Sequence, residues 1–252
     1  MFPSKIKVCT AFGIPVYLDF SLIILLLVFA TDGGPFILSM ACALLLLVSI
    51  TAHELGHALT ARAFGYGTRD ITLSLLGGCA SLIALPRKAW QEFLTAIAGP
   101  AVSFALSGFA FLALYFMPFD QWTAELLRYG FWMNLMLGTF NLLPGFPMDG
   151  GRVFRSLMRA FLSRSKATYT AMIVGRGVAI LLGLWGFHRV INGGGWGFVT
   201  ILIAWMIWRE GYREYQLARM EESVRGWGNE WSAHVSPPPY GGDDDDVEIR
   251  EH

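Results

Sequence analysis

Residues 36–57 read FILSMACALLLLVSITAHELGH, an apolar run that closes on His53-Glu54-Leu55-Gly56-His57. From Phe36 to His53 an α-helix would rise about 26 Å at roughly 1.5 Å per residue, close to the ~30 Å of a bilayer's hydrocarbon core. The stretch therefore predicts a membrane-spanning helix with three ionisable side chains at its C-terminal end. Histidines four residues apart project from one helix face and can share one Zn²⁺. The glutamate between them can reach the attacking water as a general base. A purely interfacial role for these residues is the weaker reading, because ionisable groups in or beside a span are costly and usually functional.

The rest of the chain agrees with a membrane setting. Of 252 residues, 54% are hydrophobic and only 15% charged, against roughly 25% in soluble domains. The mean hydropathy is +0.49. Nineteen basic and nineteen acidic residues cancel, so there is no global positive field of the kind that holds nucleic acid. Cys9, Cys42 and Cys79 are odd in number and form no Cys-x-x-Cys pair, which argues against a disulfide framework and a thiolate zinc site.

Six apolar stretches qualify as spans, at 17–31, 36–57, 92–117, 123–143, 171–188 and 196–209. Sorted by these spans, sixteen lysines and arginines fall on one side and two, Arg128 and Arg189, on the other, with Arg176 inside the fifth span. The positive-inside rule then places both termini in the cytoplasm, with the chain in the plasma (inner) membrane if its source is prokaryotic. Between spans two and three, Asp70 to Leu75 alternates polar and apolar residues, Gly77-Gly78 is a turn signal, and Cys79 to Leu85 is again strand-compatible. The expected fold is an α-helical polytopic membrane protein of about six transmembrane helices in a lipid bilayer, with a small β-hairpin between helices two and three. Residues 1–215 form the membrane core, and 216–252 a cytoplasmic tail, largely disordered, with Pro237-Pro238-Pro239-Tyr240 as a linker.

Two histidines do not complete a catalytic zinc site, which usually takes three protein ligands. His188 falls at the opposite face, and His234 and His252 in the tail. Asp149 stands out, following span four in Asn141-Leu142-Leu143-Pro144-Gly145-Phe146-Pro147-Met148-Asp149-Gly150-Gly151. Prolines end the helix there, and glycines free the backbone around the carboxylate. Asp149 is at once a candidate ligand and a candidate N-cap for the run from Gly151. Spans two and four run in the same direction, so both motifs emerge at one depth.

The paired motifs, His53-Glu54-Leu55-Gly56-His57 and Asn141-x-x-Pro144-x-x-x-x-Asp149-Gly150, resemble the site-2 protease family of intramembrane zinc metalloproteases. The likeness extends over about residues 10–215, including Phe12-Gly13-Ile14-Pro15-Val16 and Leu76-Gly77-Gly78. It implies a six-span core, one Zn²⁺ per chain, and hydrolysis of a peptide bond within or beside the transmembrane segment of a single-span membrane protein. By position it makes His53, His57 and Asp149 the ligands, Glu54 the base and Asn141 an auxiliary polar residue. Many members carry a PDZ domain or cystathionine-β-synthase-type modules, for which these residues have no room, leaving regulation to a membrane partner. The Gly77-Gly78 hairpin would offer an edge on which an unwound substrate adds as a strand, or serve as a structural re-entrant element. Gly99, Ser103 and Ser107 repeat at i, i+4 and i+8 and read as close helix packing. The competing reading, a non-proteolytic metal sensor or carrier, has no evident use for Glu54 beside the ligands.

Overall fold

The computed structural model describes residues 5–31, 35–74, 77–84, 86, 88–195 and 197–234, with side chains to residue 224 apart from Leu25. In chain order the elements are β1 (Lys5–Ala11), β2 (Ile14–Asp19), α1 (Leu22–Ala30), α2 (Phe36–Ala63), β3 (Thr68–Ser74), β4 (Gly77–Leu82), α3 (Ala89–Phe116), α4 (Gln121–Asn141), α5 (Asp149–Met158), α6 (Arg164–Ile191) and α7 (Gly197–His234).

Burial in the helices is inside-out for a water-soluble protein. On α2, Phe36, Ile37 and Leu44 are exposed while Ser39 and Ser49 are buried. On α3, Phe109 and Phe111 are exposed while Ser103 and Ser107 are buried. Small polar side chains let helices approach closely and bond across the gap, as they do in lipid. Asn134 of α4 donates to Ser49 Oγ at 3.0 Å, and Ser107 donates to the Phe131 carbonyl at 3.0 Å. Three helices, α2, α3 and α6, each of 28 residues, are long and apolar enough to cross a membrane.

The first expected span differs most. Tyr17 to Asp19 belong to β2, and the helix that follows, α1, has only nine residues. β1 and β2 form a hairpin closed by Phe12 and Gly13, both at positive φ, the geometry of a two-residue turn matched to strand twist. β2 then pairs in parallel with β3 across the α1–α2 crossover, and β3 pairs antiparallel with β4, giving the order β1-β2-β3-β4. The strands on either side of the expected turn are thus half of a four-stranded sheet, and Gly77 and Gly78 are the first residues of β4 rather than a turn. Leu75 and Leu76 lie outside the described residues.

The sheet packs on α2 through alternate residues of β2 and β3. Ile14 and Val16, with Ile71 and Leu73, close over Ile50 and Ala58, as a period-two face requires. α2 ends in a Schellman motif at Gly65 (φ +85°), where Tyr66 N–H bonds the Ala61 carbonyl and Gly65 N–H that of Arg62. That stop turns the chain into β3 beside the helix end. In α6, Gly175 packs against Gly145, and Gly186 against Gly197 and Ile201. α7 runs unbroken from Gly197 to His234; the proline-rich and Asp243–Asp246 segments lie outside the described residues.

Candidate active site

One turn of α2 separates His53 from His57, and both rings lie in the interior, 2% and 7% exposed. Asp149, at the first turn of α5, places Oδ2 3.1 Å from Nε2 of each. The three ligand atoms lie within 4.8 Å of one another. Each remaining ring nitrogen has its own partner: His53 Nδ1 meets Ser103 Oγ at 2.9 Å, and His57 Nδ1 the Thr95 carbonyl at 2.7 Å. Bonds of this kind fix ring orientation and leave Nε2 for a metal. A neutral imidazole pair with one carboxylate is a donor set that zinc takes. The residues present therefore fit a Zn²⁺ site with an open position.

Asp149 is the first residue of α5, after the cap Met148, so it is not the N-cap that its sequence context allowed. The following glycines act through close approach. At Gly150 a Cβ would collide with the carbonyls of Leu142 and Leu143, and at Gly151 with Gly145. α5 can begin against the end of α4 only with no side chain there, and that contact carries Asp149 to the histidines.

Two residues read as packing belong to the site. Gly99 of α3 faces the ring pair so closely that a Cβ would overlap Nε2 of His57, and Ser103 bonds His53 directly. Ser107, next in the same stripe, packs against α4 as expected. The signal was present in the spacing, but it does not say which helix the stripe meets. His188 sits in the last turn of α6 beside Asn192, apart from the cluster.

Glu54 lies between two cavities whose walls also share Gly77, Gly78, Asn141, Pro147 and Met206. One, of about 450 Å³, is apolar, walled by Ile50, Leu137, Phe140, Leu202, Ile203 and Ile207. The other, of about 370 Å³, adds Asp149, Arg152, Glu210 and Glu214. Asn141 donates to the Leu137 carbonyl of its own helix at 2.9 Å. Glu54 Oε2 accepts from the Ala80 N–H at 3.0 Å. Behind the site Arg155, 2% exposed, ties α5 to Glu92 of α3 and Glu214 of α7, with Arg159 also on Glu92. Despite burial, those carboxylates raise its pKa above the ordinary guanidinium value.

The model of peptidase family M50 matches residues 41–128 and 119–184. The chain is 36% identical over 245 residues to protein sll0528 of Synechocystis sp., covering 89% of this chain and 63% of that one. It is 30% identical over 219 residues to zinc metalloprotease MJ0392 of Methanocaldococcus jannaschii, covering 86% and 62%. It thus spans a little under two thirds of the length of either relative. The solved site-2 protease from Methanocaldococcus jannaschii superposes with a TM-score of 0.62 at 28% identity, over 84% of this chain and 95% of that one. His53 and His57 fall in the first matched segment and Asp149 in the second, so the two matched segments meet at this cluster, and the chain belongs to peptidase family M50, the site-2 protease family.

Proposed function

We propose that this protein is an intramembrane zinc metalloprotease that hydrolyses a peptide bond within or beside the transmembrane segment of a single-span membrane protein. The observation that carries the reading is the convergence of His53, His57 and Asp149 beside Glu54, inside a bundle whose outer surface is apolar. His53, His57 and Asp149 would hold one zinc per chain. When bound, the metal supplies Lewis-acid polarisation of the scissile carbonyl and makes water a better nucleophile at neutral pH. Glu54 takes the proton of the attacking water and returns it to the leaving amine. Ser103 and the Thr95 carbonyl hold the rings that carry the ligand nitrogens. Asn141, on the wall common to both cavities, is placed to contact the substrate backbone.

A peptide in a helix has its carbonyls engaged, so the substrate must be locally extended before attack. β4 is the edge of the sheet nearest Glu54, and Gly77 and Gly78 line the site, which supports substrate addition along that strand. About six bilayer passages are made, by the short α1 and by α2, α3, α4, α6 and α7, with both termini cytoplasmic.

Metal analysis of purified protein should find about one zinc per chain, reduced in His53→Ala, His57→Ala and Asp149→Ala. Glu54→Gln should keep fold and zinc yet lose at least roughly 10²-fold in turnover on a single-span substrate. Near-normal cleavage by that variant would sink the mechanism.

A further inference from the structure

Among the described residues β4 is the last strand of the sheet, so one of its edges pairs with β3 and the other pairs with no strand. In antiparallel pairing, the residues that do not exchange bonds with the partner turn their N–H and C=O to the other side. Ala80, opposite Ile71, is such a residue, since its N–H donates to Glu54 Oε2 at 3.0 Å. Gly78, opposite Leu73, shares this edge by the two-residue repeat. A Cβ at Gly78 would lie 2.5 Å from Glu54 Cγ and 2.8 Å from Oε1. The side chain of the general base therefore occupies the edge on which an extended peptide would add.

The bond leaves the carboxylate other lone pairs but holds it against the strand, and proteolysis needs both groups turned elsewhere. A strand added to β4 must take the Ala80 N–H with its own carbonyl, and that amide has one hydrogen to give. Glu54 must face water to accept a proton. Resting on the proteolytic reading above, we propose that the Ala80 amide and the Glu54 carboxylate latch one another in the resting enzyme, and that an extended substrate pairing with β4 takes the amide and so releases the base beside the bond to be cut. A substrate still wound as a helix leaves the latch closed, because its carbonyls are held by its own amides. Base release is thereby coupled to the unwinding that cleavage requires. Gly78 is needed for the same reason, as any side chain there would push Glu54 off the strand.

The test is residue-resolved amide hydrogen exchange on the zinc-loaded full chain in detergent, with a single-span peptide whose apolar segment is broken by a central Gly-Pro pair, so that it can extend there, as probe. Without peptide, the wild-type Ala80 amide should exchange slowly. Glu54→Ala should speed it at least tenfold, and Glu54→Gln, which keeps an acceptor, should fall between. An unchanged Cys79 amide and retained zinc would show that the variants are folded. Both variants turn the probe over slowly enough for binding to be read, and it should bind more tightly to Glu54→Ala than to Glu54→Gln and restore slow exchange at Ala80. Equal Ala80 exchange in wild type and Glu54→Ala would overturn the latch. So would bound peptide that leaves this amide fast in Glu54→Ala. Cleavage of the same peptide by zinc-loaded wild type is scored separately: if it occurs, the latch alone has failed, and if it does not, the proteolytic reading on which the latch rests has failed.

Discussion

At the scale of single residues the proposed ligand set depends on neighbours outside it. Ser103 Oγ sits 2.9 Å from His53 Nδ1 at a fully buried position, so its removal leaves that ring nitrogen without its partner. Partners of this kind typically contribute 10- to 100-fold in metal affinity. Ser103→Ala should weaken zinc binding by about that factor, read from chelator competition, while leaving the fold intact. Gly99→Ala should be worse, because its methyl group would occupy the space of His57 Nε2. Unchanged affinity in both would mean that the rings are held by α2 alone. The grouping of His53 and His57 with Asp149 was legible in the sequence, from spacing along one helix and from a carboxylate between helix-ending residues, and the roles proposed for them and for Glu54 rest on the same pattern. Ser103 and Gly99 were not legible as site residues. Their role depends on the crossing of α3 over α2, where Gly56 meets the Ala98 carbonyl, and the i, i+4, i+8 stripe looks the same whichever helix it faces.

Among elements, the long apolar helices announce themselves and the strands do not. α2, α3 and α6 reach 28 residues, longer than their expected spans, since flanking residues such as 58–63, which include Thr60 and Arg62, remain helical outside the apolar run. β2 was hidden because Ile14 to Asp19 runs almost without a break into the apolar Leu22–Ala30, and its alternation emerges only against its partner β3. Pro15, which disfavours a central strand, added to the ambiguity. The short α5 is held by charge rather than by apolar area. Arg155, on the helix that carries Asp149, bonds Glu92 at 2.7 Å and Glu214 at 2.9 Å from a position 2% exposed. Breaking a buried ion pair from one side leaves a desolvated charge and costs on the order of 3–5 kcal/mol. Arg155→Ala should destabilise the protein by about 3 kcal/mol, measured by denaturation, and should also lower zinc content because α5 loses its anchor. Full zinc occupancy with lowered stability would separate the network from the site. On β4, proline at Ala80 should remove a donor and impair cleavage of a helical substrate with zinc retained, whereas Ser81→Ala should matter little. Unchanged cleavage in Ala80→Pro, with the protein still folded, would leave substrate positioning to the helices.

For the whole molecule, one feature supports the proposed orientation of the bundle and a second groups its charged ends. The first is the excess of lysine and arginine in the segments that precede α1 and α3, follow α4 and continue beyond Trp208. The second is geometric: Glu92 near the start of α3, Arg155 and Arg159 on α5, Arg164 at the start of α6, and Glu214 and Glu221 on α7 are linked by ion pairs. These elements must therefore meet at one end of the bundle, whatever rule sets its orientation. α3 has 28 residues, about 42 Å of helix. The segment between α3 and α4 then lies at the far end, where Asp120 caps α4 by accepting from Trp122 and Thr123. In a background lacking Cys9, Cys42 and Cys79, single cysteines at Lys88 and Arg164 should react only after the membrane is opened. A cysteine at Asp120, or at residue 32, should react from outside in intact cells. Because Lys88 and Asp120 flank the same helix, labelling of both from one side would show that α3 does not cross. Labelling of both Lys88 and Arg164 from outside, with Asp120 protected, would keep the bundle and invert it, placing the ion network, the polar cavity and the substrate's entry on the opposite face.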